Sequence, residues 1–168
     1  MPAIVALIAG YTDWRSRRIP NWLTVPALAV GIALGAALGG WAGAKSSLLG
    51  AGLGLLVLLP FVLIRSLGAG DWKLVGALGS YLGPNRLITV LFAALIVAGV
   101  MALILVIWKG RFRQTVRNMG RLLAAFGSLH LPGEDLTLDD PKAAKVPFGV
   151  AVAIAVVLYT VGEFWKIG

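Results

Sequence analysis

The chain has no cysteine, which excludes a structural disulfide, a thiolate metal site and a cysteine nucleophile. It is also poor in charge: Asp, Glu, Lys and Arg make up 13% of the 168 residues, and only seven of these are acids. The single histidine, His130, has no ligand-type residues clustered around it, so neither a metal nor a catalytic histidine is expected. Hydrocarbon fills the space left by charge. The sequence is 59% hydrophobic, with 22 glycines and a mean hydropathy of +0.90. That balance belongs to an integral membrane protein. No small-residue cleavage site follows the first apolar run, so that run is not expected to be a removable signal peptide.

Apolar runs and their punctuation predict an all-α polytopic bundle of about six transmembrane helices, forming a single domain over residues 1–168. Met1 to Thr12 is apolar but supplies only about 18 Å of helix, against the ~30 Å of a hydrocarbon core. Trp22 to Gly40 follows, entered through Pro20-Asn21, where Asn21 is placed to cap the helix. A third helix is expected from about Ser46 to Ile64 with a kink at Pro60, and a fourth from Leu67 to Leu82, stopped by Gly83-Pro84. Arg86 to Trp108 makes the fifth, and Pro147 to about Phe164 the sixth, with Pro147 suited to the first turn.

Basic residues set the orientation. With the first loop inside, Arg15, Arg17, Arg18, Arg65, Lys73, Lys109, Arg111, Arg113, Arg117, Arg121, Lys142 and Lys145 are cytoplasmic. Only Lys45, Arg86 and Lys166 lie outside, which satisfies the positive-inside rule and makes both ends of the chain non-cytoplasmic. The net charge of +8 then reads as a topology and anionic-lipid signal, and nucleic acid is not an expected partner. The cytoplasmic connection 109–146 begins with cations and apolar residues at helical spacing, which predicts an amphipathic segment on the membrane surface. Its second part, around Glu134-Asp135 and Asp139-Asp140, reads as a solvated loop.

Glycines at four-residue spacing, Gly31, Gly35 and Gly39 on the second helix and Gly50 with Gly54 on the third, are packing positions. Gly76, Gly79 and Gly83 can do the same for the fourth.

Two acids stand against the apolar segments at cytoplasmic ends of their helices, Asp13 and Asp71. A carboxyl beside hydrocarbon is costly and asks for a functional reason. Gly68 and Gly70 precede Asp71, permitting a non-helical or left-handed turn and a close approach of another segment. If the two carboxyls come within a few ångströms they cannot both ionise easily, and a shared proton equips the pair for hydrolysis. The ionised member activates water while the protonated one donates to the scissile carbonyl. The alternative is an ion pair for each: Arg15 or Arg17 with Asp13, and Lys73 with Asp71. A non-catalytic scaffold, or a proton-coupled carrier using both acids as relays, also stays open. Acids toward one face and the lack of an internal repeat count against the carrier.

Asp13 followed by Arg15, Arg18 and Ile19-Pro20-Asn21, then Gly68-Ala69-Gly70-Asp71-Trp72-Lys73-Leu74, then Lys145-Val146-Pro147-Phe148-Gly149, resembles the type IV prepilin peptidases over essentially the whole chain. The Gly-x-Gly-Asp string alone would also suggest the presenilin and signal-peptide-peptidase group. That group's first aspartate is expected in a Tyr-Asp pair, whereas Thr12 precedes Asp13 here.

The resemblance implies a six-helix aspartyl endopeptidase, with no cofactor or metal. It would cut a short basic leader from pilin precursors at the cytoplasmic face of the inner membrane. Such leaders end in glycine just before an apolar helix. Asp13 and Asp71 would be the catalytic pair, with Gly68 and Gly70 shaping the turn and Pro20 and Asn21 fixing the loop beside it. Lys73, Arg15, Arg18 and Pro147 would contact substrate or support the site. Larger members carry an added cytoplasmic region with paired cysteines and a methylating activity. The lack of cysteine points to the shorter form, similar to peptidases of tight-adherence or Flp-type pili or to archaeal preflagellin peptidases.

Overall fold

The computed structural model describes residues 1–63, 67–108, 110 and 147–167, excluding the side chains of the last two. Arg65, Lys109, the span 111–146 with its amphipathic segment, acidic loop, His130, Lys142 and Lys145, and the side chain of Lys166 lie outside the described residues. Four helical elements make up the described secondary structure: α1 (Pro2–Ser16), α2 (Asn21–Leu63), α3 (Ala69–Trp108) and α4 (Phe148–Ile167). Three of them, α2, α3 and α4, are long and apolar enough to cross a membrane. The protein is an all-α membrane protein.

At 43 and 40 residues, α2 and α3 would each run about 60 Å if straight, roughly twice a hydrocarbon core. Neither is straight. Gly40 (φ 56°, ψ −142°) and Gly83 (φ 72°, ψ 173°) leave the helical region at dihedrals that side chains disfavour. Beyond each glycine the chain turns back on itself. Gly35 lies against the backbone of Gly43 and the side chain of Ser47. A straight helix would hold Gly35 and Ser47 about 18 Å apart. Likewise Val75 and Leu87, one on each side of Gly83, both press on Gly54. Each long element is therefore a helical hairpin, with limbs 21–39 and 41–63 in α2, and 69–82 and 84–108 in α3.

The expected stops at Gly40 and Gly83 thus match the breaks. Other boundaries move. The helix after Gly40 starts at once rather than at Ser46, because the lone Lys45 does not interrupt an otherwise helical run. Residues 84 and 85 likewise belong to the limb expected to begin at Arg86, with Pro84 in its first turn. Pro60 is carried inside α2 without leaving helical dihedrals. The first helix continues past Thr12 to Ser16, where Arg17 turns left-handed (φ 50°, ψ 32°) and its N–H donates to the Asp13 carbonyl at 2.8 Å.

Packing divides the chain into two compact units, 1–98 with 147–168, and 99–146. The second is described only where it continues α3, at 99–108, and at Gly110. Within the first unit the limb 69–82 is central: every residue from Leu74 through Ser80 is buried. Apolar burial alone does not hold helices together in lipid, so close van der Waals approach has to. Gly50 meets the Gly79 backbone, Gly31 meets Ser80, and Gly76 meets Leu55. Gly39, expected on the same packing face as Gly31 and Gly35, faces open space. Along the α1–α4 contact the small residues Ala6, Ala9 and Gly10 face α4, and a Cβ on Gly10 would sit 2.8 Å from Ala153 Cβ.

Large apolar side chains such as Leu38, Phe92 and Phe164 point outward, as a lipid-facing surface requires. Trp14, Trp22, Trp41, Trp108 and Trp165 are exposed near the ends of helices or limbs, where indole prefers the membrane interface.

Gly50→Ala would drive a methyl group into the Gly79 carbonyl, backbone against backbone, whereas Gly52 on the same limb has open space. We expect Gly50→Ala to cost at least ~3 kcal/mol and Gly52→Ala to be neutral or slightly stabilising. Thermal unfolding of the two solubilised variants, compared with the parent, checks this.

Candidate active site

Four segments of the first unit converge where the acids lie: the C-terminal end of α1, the loop 17–20, and the N-terminal ends of α3 and α4. Asp13 sits one turn from the end of α1 and is only 7% exposed. Its Oδ2 accepts the backbone N–H of Gly149 at 2.9 Å, in the first turn of α4, and the next amide, of Val150, acts on the carboxyl as well. First-turn amides have no partner within their helix and carry its positive pole, so a carboxylate is a fitting acceptor. A Cβ on Gly149 would lie 2.9 Å from Asp13 Oδ2 and 3.0 Å from Ile19 Cδ1. Only glycine lets α4 approach this closely.

Asp71 lies in the first turn of α3. Its Oδ1 is buried and takes no hydrogen bond from any described residue. The charge of Asp13 acts on it directly, so the two carboxyls face one electrostatic environment.

Of the non-helical or left-handed turn expected at Gly68 and Gly70, only the first is seen, at Gly68, which lies just outside the helix, and neither residue is left-handed. Among the described glycines only Gly40, Gly83 and Gly110 have positive φ, and Gly70 is already inside the helix. Their contribution is space. A Cβ on Gly70 would meet Ile19 Cβ and carbonyl oxygen at 3.1 Å, and one on Gly68 would stand 3.1 Å from Asp71 Oδ2. Ile19, 8% exposed, is thus wedged between the start of α3 and the start of α4, and it sets the spacing of the acid-bearing segments.

Of the three expected ion-pair partners, Lys73 and Arg15 are engaged elsewhere and Arg17 acts on Asp13 through its charge. Lys73 Nζ donates to Asn21 Oδ1 at 3.0 Å, tying α2 to α3 rather than neutralising Asp71. Arg15 donates to the Tyr11 hydroxyl at 3.2 Å. Arg17 acts on Asp13 electrostatically, without displacing the Gly149 bond. Asn21 is not the cap of α2, because the Pro20 carbonyl accepts the first-turn amides of Leu23 and Thr24 (3.1 and 3.4 Å). Arg18 is exposed, with its carbonyl accepting from Ser16 Oγ at 3.3 Å. Pro147 precedes α4 and its carbonyl takes the Ala151 amide at 3.4 Å. Trp72 completes the frame, its Nε1 donating to the Leu55 carbonyl at 2.6 Å.

Sequence reasoning assigned no role to Ile19 or Gly149, although both lie in the quoted motifs. The signal for Gly149 was a glycine directly after Pro-Phe at a helix start, where a backbone amide can be offered to an acceptor. Two carboxyls in one electrostatic environment, one supplied with amides and one without, can hold a water between a base and an acid.

A family model described as the type IV leader peptidase family matches residues 2–103, a stretch that holds both aspartates and stops short of Gly149. A prepilin leader peptidase/N-methyltransferase of Xanthomonas campestris pv. campestris is 30% identical over 122 residues, covering 68% of this chain and 42% of that protein. A protein of the same name from Burkholderia pseudomallei strain 1026b is 34% identical over 137 residues, covering 77% of this chain and 43% of the relative. The chain therefore spans about two fifths of the length of these curated relatives. No solved structure matches it.

Gly70→Ala tests the wedge. The added methyl group has to displace Ile19 backbone as well as side chain, so a loss of about 1–3 kcal/mol in thermal or denaturant unfolding is expected. An unchanged midpoint would show that Ile19 can give way freely.

Proposed function

The chain belongs to the type IV leader peptidase family, and from that premise we propose that it is a membrane aspartyl endopeptidase. It removes the short basic leader of a type IV pilin precursor of the Flp or tight-adherence kind, at the cytoplasmic face of the inner membrane. The observation that supports this reading is the convergence of the helix ends that bear Asp13 and Asp71, far apart in sequence, on the single side chain of Ile19, which lies against Gly70 on one side and Gly149 on the other.

The reaction needs only the pair and a water. One carboxylate takes a proton from the water, whose oxygen attacks the scissile carbonyl carbon, while the other carboxyl gives its proton to the carbonyl oxygen. Collapse of the tetrahedral intermediate breaks the C–N bond and sends a proton to the leaving nitrogen. No metal or cofactor enters.

Six membrane crossings follow from treating α1, the four limbs and α4 as separate spans. The end that carries the acids also carries Arg15, Arg17, Arg18 and Lys73, while the turns at Gly40 and Gly83 adjoin Lys45 and Arg86. That distribution supports a cytoplasmic site, with both ends of the chain on the other side. A precursor whose cleavage point immediately precedes an apolar helix would then present its scissile bond at the level of the acids, with its helix in the bilayer against the enzyme. Arg15 and Arg18, exposed at this face, are available to substrate or lipid headgroups.

Co-expression with a pilin precursor, followed by mass spectrometry of the pilin N-terminus, tests the reading. The parent should yield shortened pilin, and Asp13→Asn and Asp71→Asn, expressed at equal levels, should reduce cleavage by at least ~1,000-fold. Processing that survives either substitution, in a host without its own peptidase, would remove that residue from the pair.

A further inference from the structure

The two carboxyls are not equivalent, and the difference comes from α4. Asp13 Oδ2 receives the Gly149 N–H in a buried bond of 2.9 Å, backed by the Val150 amide. Both donors belong to the first turn of a 20-residue helix. Hydrogen bonds to the charged form of an acid favour that form, and a helix N-terminus adds to the preference. Asp71 also stands in a first helical turn, but no described residue donates to its buried Oδ1. Lys73, two positions along the same helix, is engaged with Asn21.

We propose that Gly149 is a positioning residue of the reaction: its backbone amide fixes Asp13 as the water-activating carboxylate and leaves Asp71 as the partner that carries the proton. The proposal rests on the peptidase reading for the chemistry it serves.

The protons balance in these roles. Asp13 takes a proton from water as the oxygen attacks, and Asp71 gives its proton to the carbonyl oxygen. On collapse Asp13 passes its proton to the leaving nitrogen, and a hydroxyl of the intermediate returns one to Asp71. Both groups end as they began.

The geometry also shows what a side chain at position 149 would displace. An added Cβ would lie within 3.0 Å of Asp13 Oδ2, Asp13 Cβ and Ile19 Cδ1, and would push the carboxylate off its donor. Gly10 supplies the matching control. A methyl group there would crowd Ala153 at 2.8 Å in the same α1–α4 contact, and its other near neighbours are backbone atoms of α4. The charged groups acting on Asp13 are Asp71 from α3 and Arg17 from the end of its own helix, while α4 presents Phe148, Gly149 and Val150 there.

Infrared spectroscopy of the purified full chain in lipid nanodiscs at neutral pH reads the assignment directly. A protonated-carboxyl C=O stretch is expected in the parent and in Asp13→Asn, and it should vanish in Asp71→Asn. A band that vanishes with Asp13→Asn and stays with Asp71→Asn, or the lack of any such band in the parent, overturns the proposal. Gly149→Ala should add a second acid band from Asp13 and lower kcat for a pilin precursor by about tenfold or more with KM unchanged. Gly10→Ala should do neither. Equal effects of the two alanines would reduce Gly149 to a packing position and overturn its role. If the parent carries the band on Asp71 yet cleaves no precursor, the peptidase reading fails. If it cleaves with the band on Asp13, the assignment alone fails.

Discussion

A carboxyl as buried as Asp13 must find its hydrogen-bond donors inside the protein, because lipid offers none and a buried charge without donors is costly. Much of the bundle is arranged around that requirement. The donors are the first-turn amides of α4, so the start of α4 has to stand beside the end of α1. The approach is close enough that a Cβ on Gly149 would lie 2.9 Å from Asp13 Oδ2. Ile19 fills the remaining gap and carries the spacing across to Gly70, and so to Asp71. Position of acid, identity of glycine and packing of helices are here one constraint seen at three scales.

The same logic, without charge, governs the centre. Solvent cannot drive helices together in a bilayer as it does in water, so association depends on how near the backbones come. The limb 69–82 is enclosed because glycine opposes glycine at Gly50 and Gly79, and because Gly31 and Gly54 make room for Ser80 and Val75. Hairpins at Gly40 and Gly83 bring these faces together. The helix bearing Asp71 is thereby anchored along its length, while its first turn stays at the edge where Trp72 and Lys73 tie it to α2.

Much of this was legible in the sequence. Membrane class, helical content, the breaks at Gly40 and Gly83, and the packing glycines at 31, 35, 50, 54, 76 and 79 follow from composition and spacing alone. Asp13 and Asp71 stood out because acids against apolar runs are rare. What could not be read was which backbone groups would face them. Gly68 and Gly70 looked like turn formers because glycine permits turns, yet only Gly68 lies outside the helix, neither is left-handed, and both leave volume, for Asp71 and Ile19 respectively. Asn21 looked like a cap by residue type, but the Pro20 carbonyl serves α2 and frees the amide side chain for Lys73. Gly149 offers a peptide N–H at a helix start, a position legible after Pro147-Phe148, but the letter does not say which acceptor that amide would find.

The site also has an order of assembly. Positions 13, 71 and 149 lie on α1, α3 and α4, which are made in that order, and the Asp13 carboxylate receives the Gly149 amide only when α4 arrives. A nascent chain with α1 through α3 inserted holds both acids without the amide that Asp13 accepts. The centre is therefore completed by the last helix described, so a truncated or half-inserted copy lacks the finished site.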